Sequence, residues 1–264
     1  METLMTKLLQ ISDPHLLSLP DDKLRGVPTA QSLQQVLQKA RHEVVDPARV
    51  VFSGDLSQEH TLAGYQLLKD LLEDWSERSL LIPGNHDDRS RMRRVFHQVP
   101  GQADEDIWFR DEIGDWQLIG LDSHVPDEGR GELSQQTLDR LQSWLSETPG
   151  RPTLIFLHHH PMSVQSEWLD TIGLSNPESL EKLLASYQGV RGIFCGHIHQ
   201  VFEDKFAGVP FYSTPSAAFQ FVPKTKQITF DLLPPGFRVI ELQEQDFRTR
   251  VVRLDTIPFV PLDE

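Results

Sequence analysis

Five short apolar runs punctuate the chain, and each ends in the same way. Lys7-Leu8-Leu9-Gln10-Ile11-Ser12 leads into Asp13-Pro14-His15, and Arg49-Val50-Val51-Phe52-Ser53 leads into Gly54-Asp55. Ser79-Leu80-Leu81-Ile82 stops at Pro83-Gly84 and then displays Asn85-His86-Asp87. Thr153-Leu154-Ile155-Phe156-Leu157 delivers His158-His159-His160, and Val190-Arg191-Gly192-Ile193-Phe194-Cys195 delivers Gly196-His197-Ile198-His199. Runs of this length predict buried strands closed by tight, polar turns. Ligands of open α/β sheets bind beyond the carboxyl ends of strands, so these groups are expected to gather at one edge.

Between the runs the period changes. Leu33, Val36, Leu37 and Ala40 predict an amphipathic helix that ends before Asp46-Pro47, and Leu67, Leu68, Leu71, Leu72 and Trp75 predict a second. Ser134 is an N-cap for a helix carrying Leu138, Leu141, Trp144 and Leu145. Asn176-Pro177 opens another, with Leu180, Leu183 and Leu184 on one face. Trp116 to Leu121 reads as a further strand, ending at Asp122-Ser123-His124. Leu16 to Pro28 is a polar loop, and Val209 to Val252 holds short strands with Pro234-Pro235-Gly236 between them. There is no repeat, low-complexity tract or linker, so 1–264 is expected to form a single domain of layered α/β type with more than one sheet.

Composition narrows the function. With 264 residues, 38% hydrophobic and 24% charged, the chain can bury a full core and reads as an ordinary soluble globular protein. A net charge of −14 argues against nucleic-acid and membrane partners but leaves room for a small anionic substrate where cations are bound. Cys195 is the only cysteine; it excludes an internal disulfide, is expected to be buried, and fits a reducing compartment. The first twelve residues lack a long apolar stretch and no run approaches membrane-spanning length, so a cytoplasmic location is expected. The sequence is silent on oligomeric state.

Two Asp, one Asn and four or five His at one sheet edge point to a metal site. Asp13 and His15 can grip one ion from one turn, Asp55 after Gly54 can bridge two, and Asn85 offers an amide oxygen. His197 and His199 can face neighbouring ions. Singly these blocks are weak, because Asp13, Asp55 and Asn85 could equally cap turns and helices. Four or more histidines at one edge have no such structural reason.

Taken in order, Asp13/His15, Gly54-Asp55, Gly84-Asn85-His86-Asp87, His158 and Gly196-His197-Ile198-His199 resemble the blocks of the calcineurin-like metallophosphoesterases. Leu157-His158-His159-His160-Pro161, Trp168-Leu169-Asp170, Cys195 to Gln200, Thr214-Pro215-Ser216 and Gln220-Phe221 are similar to segments of the bacterial class III 3′,5′-cyclic-AMP phosphodiesterases. The resemblance implies a four-layer α/β/β/α sandwich of two mixed sheets with a two-metal centre at the strand ends. It implies Asp13, His15, Asp55 and His199 on one divalent ion, and Asp55, Asn85, His158 and His197 on the other. Substrate would meet His15, Asp55, Asn85, His86 and His199. Of the three consecutive histidines the first matches the family ligand; His159 is the second choice, since Leu154 to Leu157 are all apolar and alternation cannot decide.

The implied reaction is hydrolysis of cyclic AMP to 5′-AMP by attack of a metal-bridged hydroxide. His86 would stabilise the phosphoryl oxygens and protonate the departing 3′ oxygen, and Asp87 is the adjacent carboxylate that could hold its tautomer. Purple acid phosphatases carry Tyr three residues after the bridging Asp; Gln58 stands there, so iron(II), manganese(II) or zinc(II) is expected and not a tyrosinate-bound ferric ion. Alternatives are another phosphoesterase on the same scaffold, or a scaffold without metals, which would lack histidines that are all present here. Arg89, Arg91, Arg93 and Arg94 read as a solvated helix face, with contact to substrate phosphate as the alternative. Trp168, Phe219 and Phe221 are core or a stacking surface for adenine, with Gln220 as an amide able to pair with the base. Trp75, Trp116 and Trp144 are expected in the core.

Overall fold

The computed structural model describes residues 6–262. The leaderless reading of the first twelve residues therefore rests in part on residues 1–5, which lie outside the described residues. In chain order the elements are β1 (Thr6–Ile11), the short pair β2 (Lys23–Leu24) and β3 (Val27–Pro28), α1 (Thr29–Glu43), β4 (Arg49–Ser53) and α2 (Leu62–Leu72). A 3₁₀ turn over Glu73–Arg78 precedes β5 (Ser79–Ile82) and α3 (Arg89–Val95). Then come β6 (Phe109–Ile113), β7 (Trp116–Gly120), α4 (Gln135–Glu147), β8 (Thr153–Phe156), α5 (Glu167–Asp170), α6 (Pro177–Leu184) and β9 (Val190–Cys195). The last elements are β10 (Glu203–Phe206), β11 (Val209–Ser213), β12 (Gln220–Phe221), β13 (Phe230–Asp231), β14 (Gly236–Leu242) and β15 (Phe247–Arg253).

The caps explain several boundaries. Thr61, Asp88 and Ser134 each accept a hydrogen bond from the backbone N–H three residues on, starting α2, α3 and α4. Asn176 precedes α6 as expected but caps nothing with its side chain; its amide instead bonds the Leu133 N–H and carbonyl, pinning the start of α4. Trp75 lies in the 3₁₀ turn and not in α2, because the chain turns out of α-geometry at Glu73, where φ is +52°.

Two mixed sheets result. One runs β15-β14-β1-β4-β5, with β1, β4 and β5 parallel and the β14-β15 hairpin added antiparallel to β1; the other runs β10-β11-β9-β8-β7-β6, with a parallel centre and an antiparallel strand at each margin. Three hydrophobic clusters define the layers. Leu9, Ile11, Val50 and Phe52 pack under α1, α2 and α3, while Ile119, Ile155, Ile193 and Cys195 pack under α4 and α6. Leu8, Val51, Ile82 and Ile240 meet Leu118, Leu154, Phe156 and Phe194 between the sheets. This is an α/β/β/α sandwich. The central strands are apolar on both faces because one face meets helices and the other meets the opposite sheet.

Toward the carboxyl ends of the central strands the inter-sheet core turns polar. Gln10 Nε2 donates to Ser53 Oγ (2.9 Å) and to the Cys195 carbonyl (3.2 Å), and Gln10 Oε1 accepts from Thr214 Oγ1 (2.6 Å). A buried amide with its partners in place specifies one alignment of the sheets more tightly than apolar contact can. No helix among the described residues is long and apolar enough to cross a membrane.

Candidate metal centre

The seven sequence-predicted donors and His86 meet where the two sheets abut. Asp13 and His15 come from the turn after β1, Asp55 from the turn after β4, and Asn85 and His86 from the turn after β5. His158 follows β8, and His197 and His199 follow β9, on the second sheet. His158 continues the phase of Leu154 and Phe156, which face the other sheet.

The turns are strained. Asp13, His15, Asp55, His197 and His199 all adopt positive φ, between 47° and 69°. Such backbone costs on the order of 1–3 kcal/mol per residue and persists where a site over-determines it. Glycines let the turns close: a methyl at Gly54, where φ is +97°, would lie 2.3 Å from His158 Nδ1, and one at Gly84 would lie 2.2 Å from Asp55 Oδ1.

Hydrogen bonds then fix what each ring presents. A carbonyl only accepts, so His158 Nδ1, 2.7 Å from the Ser53 carbonyl, and His199 Nδ1, 2.8 Å from the Phe219 carbonyl, must both carry protons. Their Nε2 atoms are therefore left with lone pairs when the rings are neutral. His199 Nε2 faces His15 Nε2 at 3.0 Å, and His158 Nε2 faces Asn85 Oδ1 at 3.2 Å. Asp55 Oδ2 is 3.4 Å from His158 Nε2 and 3.6 Å from His15 Nε2, and Asp13 Oδ1 is 3.4 Å from His199 Nε2. His197 Nε2 is buried with no partner among the described residues. Acceptors converging on acceptors are unfavourable by themselves and suited to cations, so the donor set fits divalent metal ions.

Electrostatics agree. Burial pushes His15 down to about 3 and keeps it neutral. Burial also disfavours a charged His158, but the Asp55 and Asp13 carboxylates outweigh it and hold the ring at about 9. Without a cation, a proton takes that place. Burial would raise the Asp55 carboxyl; the surrounding imidazoles, His158 first, hold it well below the usual carboxylate range.

Several neighbours have other duties than the sequence suggested. Asp87 does not touch His86; it accepts from the backbone N–H groups of Leu56, Ser57 and Gly84 and from the Tyr65 hydroxyl. The group beside His86 is Gln58, whose Nε2 lies 3.2 Å from His86 Nδ1 and whose Oε1 lies 2.7 Å from His15 Nδ1. Only its offset from Asp55 marked it in the sequence. His159 Nδ1 pairs with Ser123 Oγ at 2.8 Å, and its ring lies 4.7 Å from that of His197. Arg89 is no solvated residue: it forms a two-pronged ion pair with buried Asp122. Arg93 binds backbone carbonyls from Pro100 to Asp106, and Arg91 pairs with Asp88.

A cavity of about 290 Å³ opens over His15, Asp55, Asn85, His86, His197 and His199. Trp168, Ile172, Phe219, Phe221, Ile228 and Phe230 form its apolar wall. Trp168 meets Phe221 edge-on, with centroids 4.9 Å apart, and Phe221 stacks on His199 at 4.4 Å. Gln220 is buried away from this wall; its Nε2 donates to the Ser216 carbonyl. Trp75 and Trp116 are core, whereas Trp144 is half-buried against Trp108.

Comparison with known proteins fits this arrangement. The chain is 36% identical to the 3′,5′-cyclic adenosine monophosphate phosphodiesterase CpdA of Haemophilus influenzae, over 97% of this chain and 92% of that protein. It is 34% identical to the Escherichia coli K12 protein of the same name, with the same coverage. A dimetal phosphatase from Danio rerio has a similar fold, with a TM-score of 0.66 at 16% identity over 93% of this chain and 95% of that one. The family model for calcineurin-like phosphoesterases matches residues 6–201, which hold every candidate donor. The chain belongs to the calcineurin-like phosphoesterase family, a hydrolase whose buried His and Asp cluster is suited to divalent metal ions.

Proposed function

We propose that this chain hydrolyses 3′,5′-cyclic AMP to 5′-AMP at a two-metal centre. In this reading Asp13, His15, Asp55 and His199 would hold one ion and Asp55, Asn85, His158 and His197 would hold the other. Iron(II), manganese(II) and zinc(II) are all compatible with these nitrogen and oxygen donors. The observation that carries the reading is the place of Asp55, whose Oδ2 lies within 3.6 Å of His15 Nε2 and 3.4 Å of His158 Nε2. A single carboxylate within reach of both donor groups supports a site that would hold two ions over one that would hold a single ion. When bound, such ions polarise phosphoryl oxygens and acidify water.

The remaining work falls to side chains. The His86 backbone N–H is tied to Asp55 Oδ1 at 2.9 Å, so the ring is placed relative to the bridge. Its Nε2 end, without a partner among the described residues, is the group that assists the departing 3′ oxygen. Trp168 and Phe221 give adenine a stacking surface, worth ~1–3 kcal/mol per base in comparable contacts. The names of the curated relatives support cyclic AMP as the diester. We take 1–264 as one metallophosphoesterase domain, since donors from both sheets complete one site. We place the enzyme in the cytoplasm, in keeping with the lone buried Cys195.

Kinetics on cyclic AMP, cyclic GMP, bis(p-nitrophenyl) phosphate and a phosphomonoester, with each metal in turn, test the reading. Cyclic AMP is expected to give the highest kcat/KM. Trp168→Ala should raise KM for cyclic AMP by about tenfold, in line with one lost stacking contact, and spare the nitrophenyl diester. A clear preference for a linear diester or a monoester overturns the proposal.

A further inference from the structure

Gln58 links two histidines through one amide. Its backbone N–H donates to the Leu16 carbonyl at 2.9 Å, which fixes the residue beside the turn that carries His15. Its Oε1 lies 2.7 Å from His15 Nδ1 and its Nε2 lies 3.2 Å from His86 Nδ1. A primary amide accepts at one end and donates at the other. The two imidazole nitrogens it joins must therefore be opposite: one carries hydrogen and the other is bare.

Which is which follows from the metal site. His15 Nε2 points into the cluster, 3.0 Å from His199 Nε2 and 3.6 Å from Asp55 Oδ2. To bind a cation there it needs its Nε2 lone pair, so the hydrogen sits on Nδ1 and the amide oxygen must face it. The amide NH₂ is then committed to His86, whose Nδ1 must accept, and the His86 hydrogen sits on Nε2, toward the cavity. Turning the amide over would reverse both rings together. His15 would then show N–H to the cation, and His86 would show a lone pair to the substrate.

We propose that Gln58 is a positioning residue that sets both tautomers, and that His86 consequently acts as a fixed Nε2–H hydrogen-bond donor to substrate oxygen, not as a proton-giving imidazolium. This rests on the reading of His15 as a ligand. It revises the acid role expected from the sequence: an imidazolium needs hydrogen on Nδ1 as well, and that position faces the amide NH₂. No proton is transferred from His86 in this account; its N–H bond is kept while charge develops on the oxygen it meets. Neutral imidazoles serve as such donors when a neighbouring group holds their tautomer. Solvent water then supplies the proton that the 3′ oxygen finally gains.

The test is histidine ¹⁵N NMR on the full chain, stripped of metal and loaded with zinc, with single His→Gln variants to assign the signals. In the zinc-loaded protein His86 is expected to show bare Nδ1 and protonated Nε2, and His15 to show protonated Nδ1. Gln58→Glu supplies only acceptors, so His86 Nδ1 should switch to the protonated type while His15 and zinc affinity stay as in the wild type. Gln58→Leu should free both rings and weaken zinc binding by about 10–100-fold, as loss of an outer partner of a metal ligand typically does. A protonated His86 Nδ1 in the zinc-loaded wild type overturns the proposal, as does a Gln58→Glu variant in which neither ring changes. Tautomers as described in a chain that fails to cleave cyclic AMP would sink the substrate reading and leave this inference standing.

Discussion

The Tyr65 hydroxyl donates to Asp87 Oδ1 at 3.0 Å and at the same time accepts the Asp88 N–H at 2.7 Å. Asp87 also gathers the N–H groups of Leu56, Ser57 and Gly84, so one buried carboxylate ties the Asp55 turn to the Asn85 turn. Tyr65→Phe should cost about 1–2 kcal/mol, and Asp87→Ala about 3 kcal/mol or more, because it leaves three backbone N–H groups and the Tyr65 hydroxyl without their acceptor. Urea unfolding of the metal-stripped variants checks this. Equal stability of wild type and Asp87→Ala would show that the carboxylate does not hold the turns.

Asp55→Ala should empty both metal positions, whereas Asp13→Ala should spare the second. Among the described residues Asp55 is the carboxylate that pairs with both His15 and His158, at 3.6 Å and 3.4 Å. Metal content per chain after dialysis is the readout. Retention of two ions by Asp55→Ala would refute the shared bridge.

His86→Ala should leave metal content intact and lower kcat/KM for cyclic AMP by about 10²–10³-fold, the range for losing one oxyanion donor. His86→Gln keeps an N–H donor and should recover part of that loss. A group whose task is to hand over a proton would gain nothing from the amide.

Stability of the metal-stripped protein should peak near pH 6.5. Burial holds His15 at about 3 and His124 and His160 at about 4, all below the unfolded value. Between 6.5 and those values the unfolded chain binds more protons, so stability falls as pH falls. Asp87, which burial and Asp55 hold at about 6, opposes this by one proton between 6 and 3.8. On the alkaline side His158, held at about 9, binds a proton in the fold that the unfolded chain does not, so stability falls as pH rises from 6.5 to 9. Each net proton is worth about 1.4 kcal/mol per pH unit. Urea midpoints from pH 5 to 9 measure both arms. Bound zinc should flatten the alkaline arm, since the metal takes the place of the His158 proton.

The five strand-end blocks were legible because their order and their apolar runs follow from a sheet buried on both faces. The same burial hid the phase of β8: Leu154 and Phe156 face the other sheet and Ile155 and Leu157 face helices, yet all four are apolar. Only the fold tells His158 from His159. The duties of Gln58, Asp87 and Arg89 were not legible, because each is set by a partner 28 to 43 residues away. Gln220 misled for the opposite reason, as its side chain is buried and its NH₂ is committed locally to the Ser216 carbonyl.

The order of the strands in the first sheet bears on how the protein can be made. Every candidate donor lies before residue 201, but β1, which aims Asp13 and His15, is flanked on one side by β14, residues Gly236–Leu242. A ribosome that has released 201 residues has thus emitted all the candidate donors without the strand that closes this flank. Metal capture by the growing chain should lag behind synthesis of its last donor and wait for the final hairpin to arrive.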